Sequence, residues 1–132
     1  AIQMPVPSTA GTQAAPTVSA GRVEPFSEAR LTELRSAGTP VFVDMTADWC
    51  LICQVNKRVA IDRDDTRAAF ARAGVVTLVG DWTRGDPAIT RYLASRGRNS
   101  IPYYLFVSRD GEERELPQVL SSGLLVEQAS TS

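Results

Sequence analysis

Along most of the chain, hydrophobic residues fall into two alternating periods. Phe26, Leu31 and Leu34 recur at helical spacing, with Ser27 placed to cap the start and Gly38 to close the end, so the spacing predicts a first helix. Pro40 introduces Val41, Phe42, Val43, Asp44 and Met45, a β-rich run that predicts a buried central strand. After Trp49 and Cys50 the period turns helical, with Cys53, Val55 and Ala60 expected to be buried. A further helix over 66–73 ends at Gly74, and residues 75–79 form the next strand. Asp86 and Pro87 pair a capping residue with proline at the first helical position, opening a helix through Ile89, Tyr92 and Leu93 to Gly97. Residues 103–107 are a third strand, and Arg109-Asp110-Gly111-Glu112 supplies a hairpin turn into a short strand near 114–116. Ser121 or Ser122 caps a last helix around 124–129. The order α-β-α-α-β-α-β-β-α, without internal repeat, predicts an α/β fold whose mixed sheet carries helices on both faces.

The pattern stops short of the amino terminus. Residues 1–21 contain no charged residue and are rich in Ala, Ser, Thr, Pro and Gly. Such a segment buries too little apolar surface to offset its ordering entropy, which predicts a flexible linker or tail over 1–23 and a folded domain over 24–132. The start at Ala1 lacks the basic-then-apolar order of a signal peptide, so the expectation is a processed protein or an excised domain. The most apolar runs, 75–79 and 101–107, are strand-length and fall far short of the roughly 18–20 residues of a membrane span.

Composition removes several classes of chemistry. The 132 residues are 43% hydrophobic and 22% charged, and 14 basic against 15 acidic residues give a net charge of -1. No single-sign excess is present to steer the chain onto nucleic acid or an anionic membrane. The chain has no histidine, which excludes imidazole catalysis, imidazole metal ligands and the usual pH switch. Two cysteines are too few for a disulfide scaffold or for an all-cysteine zinc site within one chain.

Candidate chemistry concentrates in Ala47-Asp48-Trp49-Cys50-Leu51-Ile52-Cys53, where a predicted central strand gives way to a helix. At that junction the first cysteine meets the unpaired N–H groups and positive dipole end of the helix, which stabilise a thiolate. The second, three residues on, can attack a mixed disulfide from the first turn. Haem attachment would need a histidine where Gln54 stands, and zinc would need two ligands from elsewhere. A structural disulfide remains an alternative, weakened because so small a loop adds little stability.

Asp44, Trp49-Cys50-x-x-Cys53 and the distant Ile101-Pro102 together resemble the thioredoxin superfamily over about 25–129. More narrowly, the chain resembles the C-terminal periplasmic domains of the membrane thiol reductases DsbD and ScsB. This likeness rests on the run from Val41 through Asn56, on Asp81-Trp82-Thr83 with Asp86-Pro87-Ala88-Ile89-Thr90, on Gly97-Arg98 leading into Ile101-Pro102-Tyr103-Tyr104-Leu105, and on Leu116-Pro117-Gln118-Val119-Leu120. The resemblance implies a thioredoxin fold, no cofactor and no bound metal. It also implies an electron relay. A transmembrane reductase domain of the same parent protein is the donor, and periplasmic thioredoxin-like or other disulfide-bearing proteins are the acceptors. The parent would be membrane-anchored and this domain a soluble periplasmic head, with no nucleic-acid partner.

In that relay Cys50 is the exposed attacking thiol and Cys53 the buried resolving one. Leu51 and Ile52 add no cation between them, which places the couple nearer the roughly -270 mV of thioredoxin than the roughly -120 mV of DsbA. Asp44 is expected beneath the pair, with a pKa raised by burial, to accept and return the proton of Cys53. Pro102 is expected to be cis, holding the Ile101 backbone beside Cys50 where an extended partner can pair with it. Trp49, Leu51, Ile52, Ile101 and Pro102 are the expected partner-binding residues. Where the family can carry a glutamate that tunes the thiols, this chain has Lys57, which is expected to point to water. The alternatives are a thiol oxidase or isomerase of the same fold, or a thioredoxin-like binding module with a structural disulfide.

Overall fold

The computed structural model describes residues 22–131, so the tail expected over 1–23 lies outside the described residues except for Arg22 and Val23. Val23, which composition assigned to the tail, is the first residue of a strand. The elements run β1 (Val23–Pro25), α1 (Glu28–Ser36), β2 (Val41–Thr46), α2 (Leu51–Asn56), α3 (Asp64–Ala73), β3 (Val76–Asp81), α4 (Pro87–Ser95), β4 (Tyr103–Val107), β5 (Glu113–Leu116) and α5 (Ser122–Ser130). Helix α2 continues directly into one π-helical turn, Lys57–Ile61.

The five strands lie in the order β1-β3-β2-β4-β5. β1 and β2 pair parallel to β3, while β4 pairs antiparallel to both β2 and β5. The unforeseen β1 is only three residues long, and its ends are tied by backbone bonds from Thr77 N to Arg22 O and from Phe26 N to Val79 O. Glu24 adds an ion pair to Arg30 of α1 at 2.7 Å.

Local chemistry explains the helix boundaries. Ser27, Asp86 and Ser121 each accept a backbone N–H with the side chain, from Arg30, Ala88 and Leu124 respectively. Gly74 ends α3 with φ 72°, a left-handed conformation that favours glycine.

Strand β2 divides the core by alternation. Val41, Val43 and Met45 pack with Leu31 and Leu34 of α1 and with Ile89, Tyr92 and Leu93 of α4. Phe42 faces the other layer, among Ala60, Phe70, Tyr104, Phe106 and Leu125. Burying each large side chain contributes roughly 1.5–3 kcal/mol against exposure. One expected core position is corrected here. Val55 is exposed, and Asn56 is the buried residue of that turn. Asn56 enters the core because every polar arm is satisfied: its Nδ2 donates to Tyr104 Oη and Gln118 O, and its Oδ1 accepts from Leu120 N.

Candidate active site

The carboxyl end of β2 delivers the chain to Cys50, the N-cap of α2, with extended φ/ψ of -90° and 104°. Cys50 Sγ accepts the backbone N–H of Cys53 at 3.2 Å, in the position a capping serine would use. An unpaired helical N–H is thereby aimed at the sulfur that carries charge when the pair is reduced. In this structure the two cysteines are joined as a disulfide, with Cα atoms 5.2 Å apart. The expectation of an exposed Cys50 is corrected. Cys50 is 7% exposed and Cys53 2%, so both are buried, Cys50 the less deeply. Ile101 packs against Ala47 and the pair.

The Ile101–Pro102 peptide bond is cis. Pro102 is buried and Ile101 partly so. Gln118 Nε2 approaches the Pro102 carbonyl at 3.4 Å, and the Gln118 carbonyl accepts from Asn56, so α2 and the Pro102 loop share a support.

Asp44 stands on β2 opposite Tyr104 of β4 and Val79 of β3. Its carboxyl is buried, and that burial pushes its pKa up to about 6. The ammonium of Lys57 works in the opposite direction, and the carboxylate of Asp62 reinforces the rise. Asp44 and Cys53 border one cavity of about 370 Å³, which Cys50 does not border. Lys57 is neither turned away from the site nor wholly inside it. Its Nζ is held by Asp62 at 2.7 Å, its side chain is largely solvated, and it borders the same cavity as Asp44.

Next to Cys50 in the chain, outside that cavity, three large apolar side chains are exposed. Trp49 is 61% exposed, Leu51 76% and Ile52 46%. Trp49 is nevertheless held in place. Its Nε1 donates to the Thr83 carbonyl at 3.1 Å, and its ring lies 6.4 Å from that of Trp82. Thr83 Oγ1 accepts from Asp48 N at 2.9 Å and donates to Asp81 Oδ1 at 2.5 Å. The loop after β3 thus grips the two residues that precede Cys50. Sequence reasoning does not mark Thr83 or Asn56 as supports of the site. A threonine two residues after Asp81 is the one signal that could have marked this turn.

Among the described residues, no group of three or more His, Cys, Asp and Glu side chains could hold a metal ion, and no helix is long and apolar enough to cross a membrane.

Comparison with known proteins places this arrangement. Residues 22–108 match the profile of the thioredoxin-like family. The thiol:disulfide interchange protein DsbD of Klebsiella pneumoniae is 29% identical over 96 residues, covering 70% of this chain and 15% of that protein. DsbD 1 of Pseudomonas aeruginosa is 30% identical over 101 residues, covering 74% and 17% respectively. The chain therefore spans less than a fifth of the length of these curated relatives. In three dimensions it resembles the oxidised C-terminal domain of Neisseria meningitidis DsbD, with a TM-score of 0.63 and 21% identity over 82% of this chain and 97% of that one. At that identity the structural likeness speaks for the fold alone. The family match over residues 22–108, together with the homology to a segment of DsbD, identifies the chain as a member of the thioredoxin-like family, with its Cys50–Cys53 pair at the N-terminus of α2.

Proposed function

We propose that this domain is the reducing head of a membrane-anchored electron relay, passing electrons from a membrane-embedded reductase domain to disulfide-bearing proteins of the periplasm. The observation that carries this reading is the Cys53 N–H bond to Cys50 Sγ at the N-cap of α2, with only Leu51 and Ile52 between the cysteines. The helix terminus supports a thiolate on Cys50, yet no cation stabilises it further, and a modestly stabilised thiolate belongs to a reducing couple.

The reaction then proceeds in two displacements. The Cys50 thiolate attacks one sulfur of the client disulfide, and the client's other sulfur leaves as a thiolate. Cys53 next gives its proton to the Asp44 carboxylate and attacks Cys50 Sγ. The Cys50–Cys53 bond forms, the bond to the client breaks, and the client carries away the electron pair. Asp44 suits the proton transfer because a carboxyl with a pKa of about 6 is mostly ionised at neutral pH and still a competent proton acceptor. Trp49, Leu51 and Ile52, together with the Ile101–Pro102 edge, form the surface on which a client docks, and the membrane domain restores the dithiol at the same sulfurs. Likeness to DsbD supports the periplasmic setting and the pairing with a membrane domain.

An equilibrium titration of the Cys50–Cys53 couple against a thiol redox buffer, read by alkylation, tests the direction. The expected potential lies near or below the roughly -270 mV of thioredoxin. A value near the roughly -120 mV of DsbA would make the domain an oxidant or isomerase instead.

A further inference from the structure

Two separate surfaces meet at the disulfide. Trp49, Leu51, Ile52 and the Ile101–Pro102 edge lie on the side where a client would dock, and none of them borders the 370 Å³ cavity. That cavity instead runs from Cys53 and Asp44 to Lys57, Asp62 and Arg67, whose side chains are about half solvated. Thr77 and Val79 of β3 line it on the sheet side, and Ile61 and Thr66 line it around the π-helical turn. Thr66 Oγ1 donates to the Ala60 carbonyl at 2.6 Å, which fixes that turn. Against a water's share of about 30 Å³, the space accommodates several molecules, with Asp44 and the threonine hydroxyls as polar partners.

We propose that this cavity is a back-door proton passage: it connects Asp44 to bulk water while a protein client covers Cys50. The proposal rests on the reading of Asp44 and Cys53 given above. During resolution Cys53 S–H loses its proton to the Asp44 carboxylate, and the thiolate so formed attacks Cys50 Sγ. The transfer is reversible, and the Cys53 thiolate lasts long enough to attack only if the proton leaves Asp44 for water while the client still covers Cys50. On the docking side, Ile101 packs against the sulfurs and a bound client would exclude water. On the other side, the charged rim keeps the mouth hydrated. The groups facing Asp44 are Cys53 from α2, Lys57 and Asp62 at the ends of the π-helical turn, Arg67 from α3 and Tyr104 from β4. Lys57 pairs with Asp62, and Arg67 with Asp64 as well as Asp62, so each cation at the rim has a carboxylate beside it and a proton crosses no concentrated charge of either sign.

Two plugs test this. Val79→Phe fills the space from the β3 side and Ile61→Phe from the π-helical turn, and neither residue belongs to the proposed docking surface or to the proposed reacting set. The reduced domain is mixed with DTNB, a small disulfide that leaves the docking face open, and with insulin, a protein disulfide that covers it. Attack by Cys50 and resolution by Cys53 are timed separately by acid quench and mass measurement. Both plugs are expected to leave attack within about twofold while slowing resolution on insulin about tenfold, and resolution on DTNB less, because general-base steps carry effects of that size or more. The slowing should persist near pH 8.5, roughly two units above the carboxyl's raised pKa, where a further rise caused by the plug no longer matters.

Resolution on insulin within about twofold of the unaltered chain in whichever plug folds would overturn the passage while leaving the exchange reading intact. Asp44→Asn separates the two claims. Slow resolution there with normal resolution in the plugs sinks only the passage, whereas normal resolution in Asp44→Asn removes the base and the passage with it. Loss of attack by Cys50 on both disulfides in the unaltered chain would overturn the exchange reading itself and the passage along with it.

Discussion

The two faces of the sheet are built from the same strands and could hardly differ more. On the α1/α4 face Val43, Met45 and Leu78 are fully buried and close-packed, and Gly80 leaves room for the Met45 thioether that no Cβ could share. On the α2/α3 face the intervening residues are Asp44, Thr46, Thr77 and Val79, and between them and the π-helical turn lies a void of about 370 Å³. Alternation along β2 and β3 therefore keeps one side packed throughout and opens the other around Asp44, next to the packed cluster of Phe42, Phe70, Tyr104 and Phe106. A packed face gains from every methylene. A face that holds a buried carboxyl beside a cavity gives up packing there and forfeits stability.

The contrast can be broken most forcefully on the packed side. Met45→Ala should destabilise the domain by about 2–5 kcal/mol through lost transfer energy and a residual cavity, measured by urea unfolding. A cost below about 1 kcal/mol would mean that the face is less tightly filled than its geometry implies.

Asp44→Asn should move stability the other way. The folded-state pKa of about 6 lies above the ordinary 3.8, so the native state binds the proton more tightly than the unfolded chain does. Stability therefore falls as pH rises from about 4 to about 6 and stays at the lower level beyond. Replacing the carboxylate should stabilise the domain by about 1–3 kcal/mol at pH 7, with the gain vanishing below about pH 4. Unfolding curves at the two pH values check both the sign and the window, and a loss of stability at pH 7 would contradict the buried-carboxylate account.

Gly80→Ala sharpens the same comparison. Its Cβ would collide with the Met45 thioether and approach Ile89, so a cost of about 1–3 kcal/mol is expected, measured by thermal or urea unfolding. Because the thioether is the flexible end of Met45, the double change Gly80→Ala with Met45→Val should recover part of that loss.

Thr83→Val removes the hydroxyl that accepts from Asp48 N and should cost about 1 kcal/mol. The bond from the Trp49 indole Nε1 to the Thr83 carbonyl would loosen with it, and a shift in Trp49 fluorescence together with weaker client binding would report the change. The smallest stability effect belongs to Leu51→Ser on the docking face, within about 0.5 kcal/mol. That substitution should still raise the KM for insulin while leaving the attack of Cys50 on DTNB unaltered.

Much of this division was readable along the chain. The apolar runs of β2 and β4, the caps at Ser27 and Asp86, and the Cys50–Cys53 pair at a strand-to-helix junction are local patterns, and local patterns survive folding because they rest on backbone period and capping chemistry. β1 was not legible, since three residues ending in proline carry no periodic signal, and the strand exists because the free edge of β3 and the guanidinium of Arg30 accept it. The exchange of Val55 for Asn56 in the core was hidden for a related reason. A polar residue enters the interior only where distant groups satisfy it, and those groups are Tyr104, Gln118 and Leu120.

By itself, the sequence determined which two sulfurs are placed to pair, the absence of a cation between them and the alternation that turns Asp44 away from the α1/α4 face. Those are properties of residue type and spacing. Tertiary structure alone decided the burial of Cys50 against Ile101, the placing of Thr83 against Trp49, and the meeting of Asp44 with Lys57 and Asp62 around one cavity. Burial, hydrogen-bond satisfaction and electrostatic coupling depend on which distant segments fold against one another, and no local window of sequence contains that information.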